Sequence, residues 1–109
     1  MIDGFWIVQF EGLQAKGGGV AVLRNGHIFG GDSGFTYTGT YETDEKVLKA
    51  RVMIRKFLPD VQSIFGIEDE YELSLAGTVE DNVIKGKAVV IGRPGLGTLV
   101  RLTKRGNVL

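Results

Sequence analysis

The chain has 109 residues, with thirteen basic and thirteen acidic side chains, seventeen glycines, two prolines and no cysteine. This length supports one hydrophobic core and not two, the balanced charge leaves nucleic-acid binding without a net electrostatic drive, and the missing cysteines exclude disulfides and thiolate metal sites. No apolar run reaches the ~20 residues that span a bilayer and no charged-then-apolar leader opens the chain, so a single cytoplasmic domain over 1–109 is expected, with no membrane or direct nucleic-acid contact.

From Gly4 to Gly12, Trp6, Val8 and Phe10 alternate with Phe5, Ile7, Gln9 and Glu11, which predicts a first strand. After a connection at 13–16, Gly17-Gly18-Gly19 is expected to let the backbone turn and twist before a second strand of Val20, Ala21, Val22 and Leu23. Asn25-Gly26 offers two residues that tolerate positive φ, as a two-residue hairpin requires, and leads to a third strand at His27–Gly31. Gly30 to Gly34 makes a corner where the chain bends sharply. Phe35, Tyr37, Gly39 and Tyr41 then alternate with Thr36, Thr38, Thr40 and Glu42 as a fourth strand with one buried side.

A polar turn at Thr43, Asp44, Glu45 and Lys46 precedes the fifth strand, where Leu48, Ala50, Val52 and Ile54 point inward and Lys49, Arg51, Met53 and Arg55 outward. Between Phe57 and Gly66 the rhythm breaks at Pro59 and Asp60, and Val61, Ile64 and Phe65 have the spacing of one helical turn, so a short helix near 60–66 or an irregular lid is expected. Alternation returns in a sixth strand from Glu70 to Val79 and, past Asp81-Asn82, in a seventh from Val83 to Ile91. Arg93-Pro94-Gly95 reads as a reverse turn, Gly97 to Thr103 as an eighth strand, and Lys104 to Leu109 as a frayed tail.

Eight short strands with compact connections imply an all-β domain, an antiparallel up-and-down sheet that curls and closes, since an open sheet would expose two edges. Gly39, Gly77 and Gly86 fall inside strands where such a barrel bends most. An interior of this size is filled by side chains or holds one slender ligand.

No residue pattern here demands catalysis, a cofactor or a metal. His27 is the only histidine and stands beside a hairpin turn, and no cysteine is present for it to activate. Asp32 suits an Asx-type role in its glycine-rich corner or a place at the barrel mouth, and is the one residue an enzyme reading would nominate. Glu68, Asp69, Glu70 and Glu72 read as a solvated loop and strand face, without EF-hand spacing. Gly17 to Gly19 lacks the phosphate-loop spacing, and Gly92 to Gly97 only superficially resembles a nucleotide loop. Lys49, Arg51, Arg55, Lys85 and Lys87 form a basic exterior that Glu70 and Glu72 can pair across. Trp6, Phe10, Tyr37, Tyr41 and Tyr71 face inward, as core or as the lining for a small hydrophobic ligand.

The motif G-F-W-x-V-x-F at Gly4 to Phe10, the run GGGVAVLRNGHIFGGDSGFTYTGTY at Gly17 to Tyr41, SIFG at Ser63 to Gly66 and YELSLAG at Tyr71 to Gly77 together resemble the GrlR family of bacterial negative regulators of type III secretion. The resemblance implies a lipocalin-like eight-stranded barrel, a homodimer, and inhibition of a transcriptional activator by direct protein contact. It also implies a role for an exposed acidic turn, of which Asp44 and Glu45 are the residues kept here, within Thr43-Asp44-Glu45-Lys46. Met53, Val89 and Ile91 are the outward apolar residues expected at a two-fold interface. The regulator reading stands beside that of a carrier or sensor for a small hydrophobic ligand.

Overall fold

The computed structural model describes residues 2–11, 16–61, 63, 65 and 69–108. Eight strands follow one another as β1 (Gly4–Glu11), β2 (Lys16–Arg24), β3 (His27–Gly31), β4 (Phe35–Asp44), β5 (Val47–Lys56), β6 (Glu70–Glu80), β7 (Val83–Val90) and β8 (Arg93–Gly106). Each pairs antiparallel with its neighbour, and β1 pairs with β8 to close the barrel. Closure leaves no unpaired sheet edge.

Alternation along each strand places one set of side chains inside. Trp6, Leu23, Leu48 and Ile84 are almost wholly buried and pack together with Ala21, Ile28, Ala50 and Leu102. On β5 the facing follows the pattern of the sequence, with Leu48, Ala50 and Ile54 buried and Lys49, Arg51 and Arg55 exposed. Outside, Arg51 pairs with Glu72 at 3.0 Å, Arg55 with Glu70 at 3.8 Å and Lys56 with Asp69 at 3.1 Å. The exposed Arg55–Glu70 pair contributes at most about 1 kcal/mol, while the Lys56 side chain of the third pair is largely covered.

Three tight turns crowd one end of the barrel. Asn25 and Gly26 take φ of 51° and 80°, the left-handed pair a two-residue hairpin demands, while Glu45 and Asp81 start the other two at 56° and 53°. The carbonyls of Gly26, Lys46 and Asn82 each accept a backbone N–H from a neighbouring strand, from Tyr41, Val79 and Lys104 at 2.8–2.9 Å. Trp6 lies just inside this end, its indole N–H donating to the Ile2 carbonyl at 2.9 Å, so the N-terminal segment is drawn beneath it.

Four local expectations are corrected. Arg93-Pro94-Gly95 is not the turn: Ile91-Gly92 is, with Gly92 at φ 87°, a conformation that proline cannot take. Proline instead falls in an irregular stretch of β8, where the register jumps from Val89↔Gly97 to Val90↔Arg93 and residues 94–96 have no paired position. Lys104 to Gly106 are not a frayed tail but the last part of β8, held because β1 needs a partner along its first residues. Gly17 to Gly19 lie within β2 opposite Phe10, Gln9 and Val8, and not in a turn. The polar turn after β4 narrows to Glu45-Lys46, since Thr43 and Asp44 still pair with Leu48 and Val47.

No helix forms among the described residues, so none there could cross a membrane as a helix. The segment after β5 is irregular, with a turn at Pro59-Asp60; Ile64 and Gly66 of the expected helical turn lie outside the described residues, as does Glu68.

Candidate functional site

The end opposite the three tight turns carries the β1–β2 and β5–β6 connections, the β3–β4 corner and the β7–β8 turn, and there the barrel opens into a cavity of about 300 Å³. Its floor is Leu23, Leu48 and Leu102; Val52, Ile54 and Leu73 are among its walls; Asp32, Ser33, Ser63 and Tyr71 are at its mouth. Val61, Ser63 and Phe65 from between β5 and β6 also line the cavity, and the Phe57 N–H donates to the Gly34 carbonyl at 2.9 Å.

The Gly30-to-Gly34 corner organises the polar side of the mouth. Asp32 Oδ1 accepts the backbone N–H groups of Gly34 and Phe35, both at 2.9 Å, an Asx-type turn that fixes the carboxylate. Oδ2 accepts the Tyr37 hydroxyl in a short hydrogen bond. The corner thus takes both roles considered for Asp32, since the same residue also lines the cavity. Burial, followed by the hydrogen bond to Asp32, holds the Tyr37 hydroxyl far above the ordinary tyrosine value, so it stays a neutral donor. Burial likewise raises Tyr71, partly offset by a hydrogen bond from Ser63, and the charge of Asp32 adds to the rise.

Two glycines explain how these groups fit. A Cβ at Gly19 would stand 2.5 Å from the Gly31 carbonyl oxygen and 2.9 Å from the Tyr37 hydroxyl. A Cβ at Gly34 would stand 2.6 Å from Val61, which closes down over the corner. The glycines of β2 and the corner therefore make room for the mouth, a role that spacing alone does not reveal. Phe65 completes the rim, meeting Tyr71 edge to face at 5.7 Å while its N–H donates to Ser63 Oγ at 2.9 Å.

Of the five aromatics expected to face inward, Phe10, Tyr37 and Tyr71 line the cavity, as does the buried Phe35. Trp6 is fully buried and Tyr41 is partly buried; neither is among the cavity-lining residues. The Tyr41 hydroxyl donates to Asp3 Oδ1 at 2.7 Å, tying the chain's first residues to β4; this bond lowers Asp3, while burial, then the same bond, raises Tyr41. Val61, Ser63 and Phe65 were not anticipated as lining residues because they stand in a segment without alternation.

Asp44 and Glu45 are both exposed, at the end of the barrel remote from the cavity mouth. Met53 is half-buried on the outer side of β5, between Thr38 and Glu72; Val89 is half-buried on β7, and Ile91 is exposed in the β7–β8 turn. A contiguous outward apolar surface lies elsewhere, on β1 to β3. Phe5, Val22 and Phe29 form one row across β1, β2 and β3, with Ile7 and Val20 in the next row. Phe5, Val20 and Phe29 are 37%, 40% and 55% exposed, and His27 stacks on Phe29 with ring centroids 6.1 Å apart. The alternation of β1 and β2 carried this signal, because both faces of each strand hold large apolar residues; only the register showed that they meet.

Comparison with known proteins adds the biological class. Among curated proteins none matches the chain. The family model described as "T3SS negative regulator, GrlR" matches residues 1–109. The motifs, the closed eight-stranded barrel and this match over the whole chain agree: the protein belongs to the GrlR family of negative regulators of type III secretion.

Proposed function

We propose that this protein is a non-enzymatic, cytoplasmic negative regulator that acts by direct contact with a transcriptional activator. The observation that carries this reading is the family match across residues 1–109. The Asp44-Glu45 tip supports a contact point: two carboxylates stand exposed on a tight turn, and Glu45 is held at φ 56°, where a residue with a Cβ is disfavoured. An acidic projection of this kind steers a basic partner surface and acts mainly on association rate.

The apolar outer face of β1 to β3 supports a homodimer. Contiguous exposed apolar surface of this kind marks an interaction face, and an isologous contact would cover Phe5, Val20 and Phe29 on both copies at once. Met53 extends the same row past Thr38, at the margin of that face.

A reporter driven by the activator tests the reading, read beside co-purification of the two proteins. The wild-type chain represses the reporter and captures the activator, whereas Asp44→Lys with Glu45→Lys keeps its fold and oligomeric mass but loses capture. Failure of the wild type to repress refutes the regulator reading. Undiminished capture by the double variant removes only the role assigned to the turn.

A further inference from the structure

The cavity combines two chemistries in a way that partner contact at the far end of the barrel does not use. Its depth is apolar, from Leu23, Leu48 and Leu102 up to Val52 and Ile54, and its mouth is polar around Asp32. At the ~30 Å³ a water occupies in the liquid, 300 Å³ offers room for about ten water-sized groups. Apolar space of this size stays dry or takes an apolar guest.

The polar end sets what kind of guest. Asp32 Oδ1 is occupied by two backbone N–H groups, and Oδ2 accepts a hydrogen bond from the Tyr37 hydroxyl. A carboxylate oxygen has two acceptor positions, so Oδ2 keeps one for a further donor. The turn also anchors the carboxylate, which cannot swing away from the mouth without breaking three hydrogen bonds. A guest that brings a second carboxylate is repelled there, with the repulsion strengthened beside low-dielectric walls. Lys16 is the cation among the lining residues, and its side chain is exposed to water. Exposed apolar side chains at Phe57, Leu58 and Ile91 stand at this end of the barrel, where an amphiphile would enter.

We propose that the cavity binds a small amphiphile, an apolar chain of about eight carbons that fits the available space, whose head carries a hydrogen-bond donor and no negative charge. The chain lies among Leu23, Leu48 and Val52, and the head donates to Asp32 Oδ2. This inference does not depend on the partner-contact reading.

The test uses the full chain and the neutral dye N-phenyl-1-naphthylamine, whose fluorescence rises in an apolar site. At pH 7.5, 1-octanol displaces the dye at a concentration at least about ten-fold below that of octanoate, like-charge repulsion by Asp32 adding to the cost of desolvating the carboxylate. Asp32→Asn keeps the turn acceptor and removes the charge, and narrows that ratio by about three-fold or more. Val52→Phe fills the cavity and removes dye binding; if that variant does not fold, the octanol-to-octanoate ratio of the wild type and of Asp32→Asn decides. No dye binding by the wild type, octanoate equal to or better than octanol, or a ratio that Asp32→Asn leaves unchanged, each overturns the proposal.

Discussion

Asp32→Ala should be among the most damaging single changes outside the buried core, because one side chain holds the β3–β4 corner and satisfies a buried hydroxyl. It removes two backbone N–H bonds at 2.9 Å, from Gly34 and Phe35, and strips the partner from Tyr37, whose ring is 7% exposed. Hydrogen bonds to a charged acceptor contribute about 1.5 kcal/mol or more each when buried, and somewhat less at a partly open mouth, so a loss of about 3 kcal/mol is expected. In a domain of this size that lowers Tm by about 15 °C. Tyr37→Phe leaves the carboxylate facing the mouth and should cost about 1 kcal/mol, and the double mutant should show a coupling of about 1–2 kcal/mol between the two residues. Urea unfolding followed by tryptophan fluorescence measures all three, since Trp6 is the only tryptophan and is 0% exposed. A single mutant within about 0.5 kcal/mol of wild type, or additive behaviour of the pair, would refute the corner's role.

The same geometry sets further outcomes. Glu45→Gly should raise stability by about 0.5–1 kcal/mol, because glycine takes φ 56° without the Cβ clash; a lower unfolding midpoint in urea would contradict this. Ile84→Ala, at a fully buried position, should cost about 2–4 kcal/mol, whereas Lys85→Ala beside it should stay within about 0.5. Under the proposed homodimer, Phe29→Glu should leave the circular dichroism spectrum intact and yield the monomer mass in light scattering; a variant mass equal to that of a dimeric wild type would move the interface away from β1 to β3. Tyr37, Tyr41 and Tyr71 all have folded values above the ordinary 10.0, so their contribution is complete below pH 10, where both states are protonated. Above it the unfolded chain releases protons first and stability falls, more shallowly in Tyr37→Phe; equal alkaline slopes for the two proteins would count against the Tyr37 assignment. At the acid end Asp3 has the opposite sign: lowered from 3.8, it stabilises above that value and the contribution is lost as pH falls through its folded value.

What the sequence determined alone was the set of strands and their facing, because a period of two with one apolar side has a single solution once the sheet closes. Asn25-Gly26 and the alternation from Leu48 to Ile54 specify their local structure whatever surrounds them. Tertiary structure decided everything that depends on which residues meet across the barrel. The stretch from Gly17 to Gly19 reads as a turn until β3 and β4 bring Asp32 and the Tyr37 hydroxyl against it. Arg93-Pro94-Gly95 has the composition of a turn, yet Gly92 takes the positive φ and the proline is accommodated where β8 loses its register. Phe5, Val22 and Phe29 are far apart in the chain, and only the register of β1, β2 and β3 makes them one surface. The cavity is likewise a property of closure: alternation says which side chains point inward, but whether they fill the interior is set by the barrel's width against the sum of their volumes.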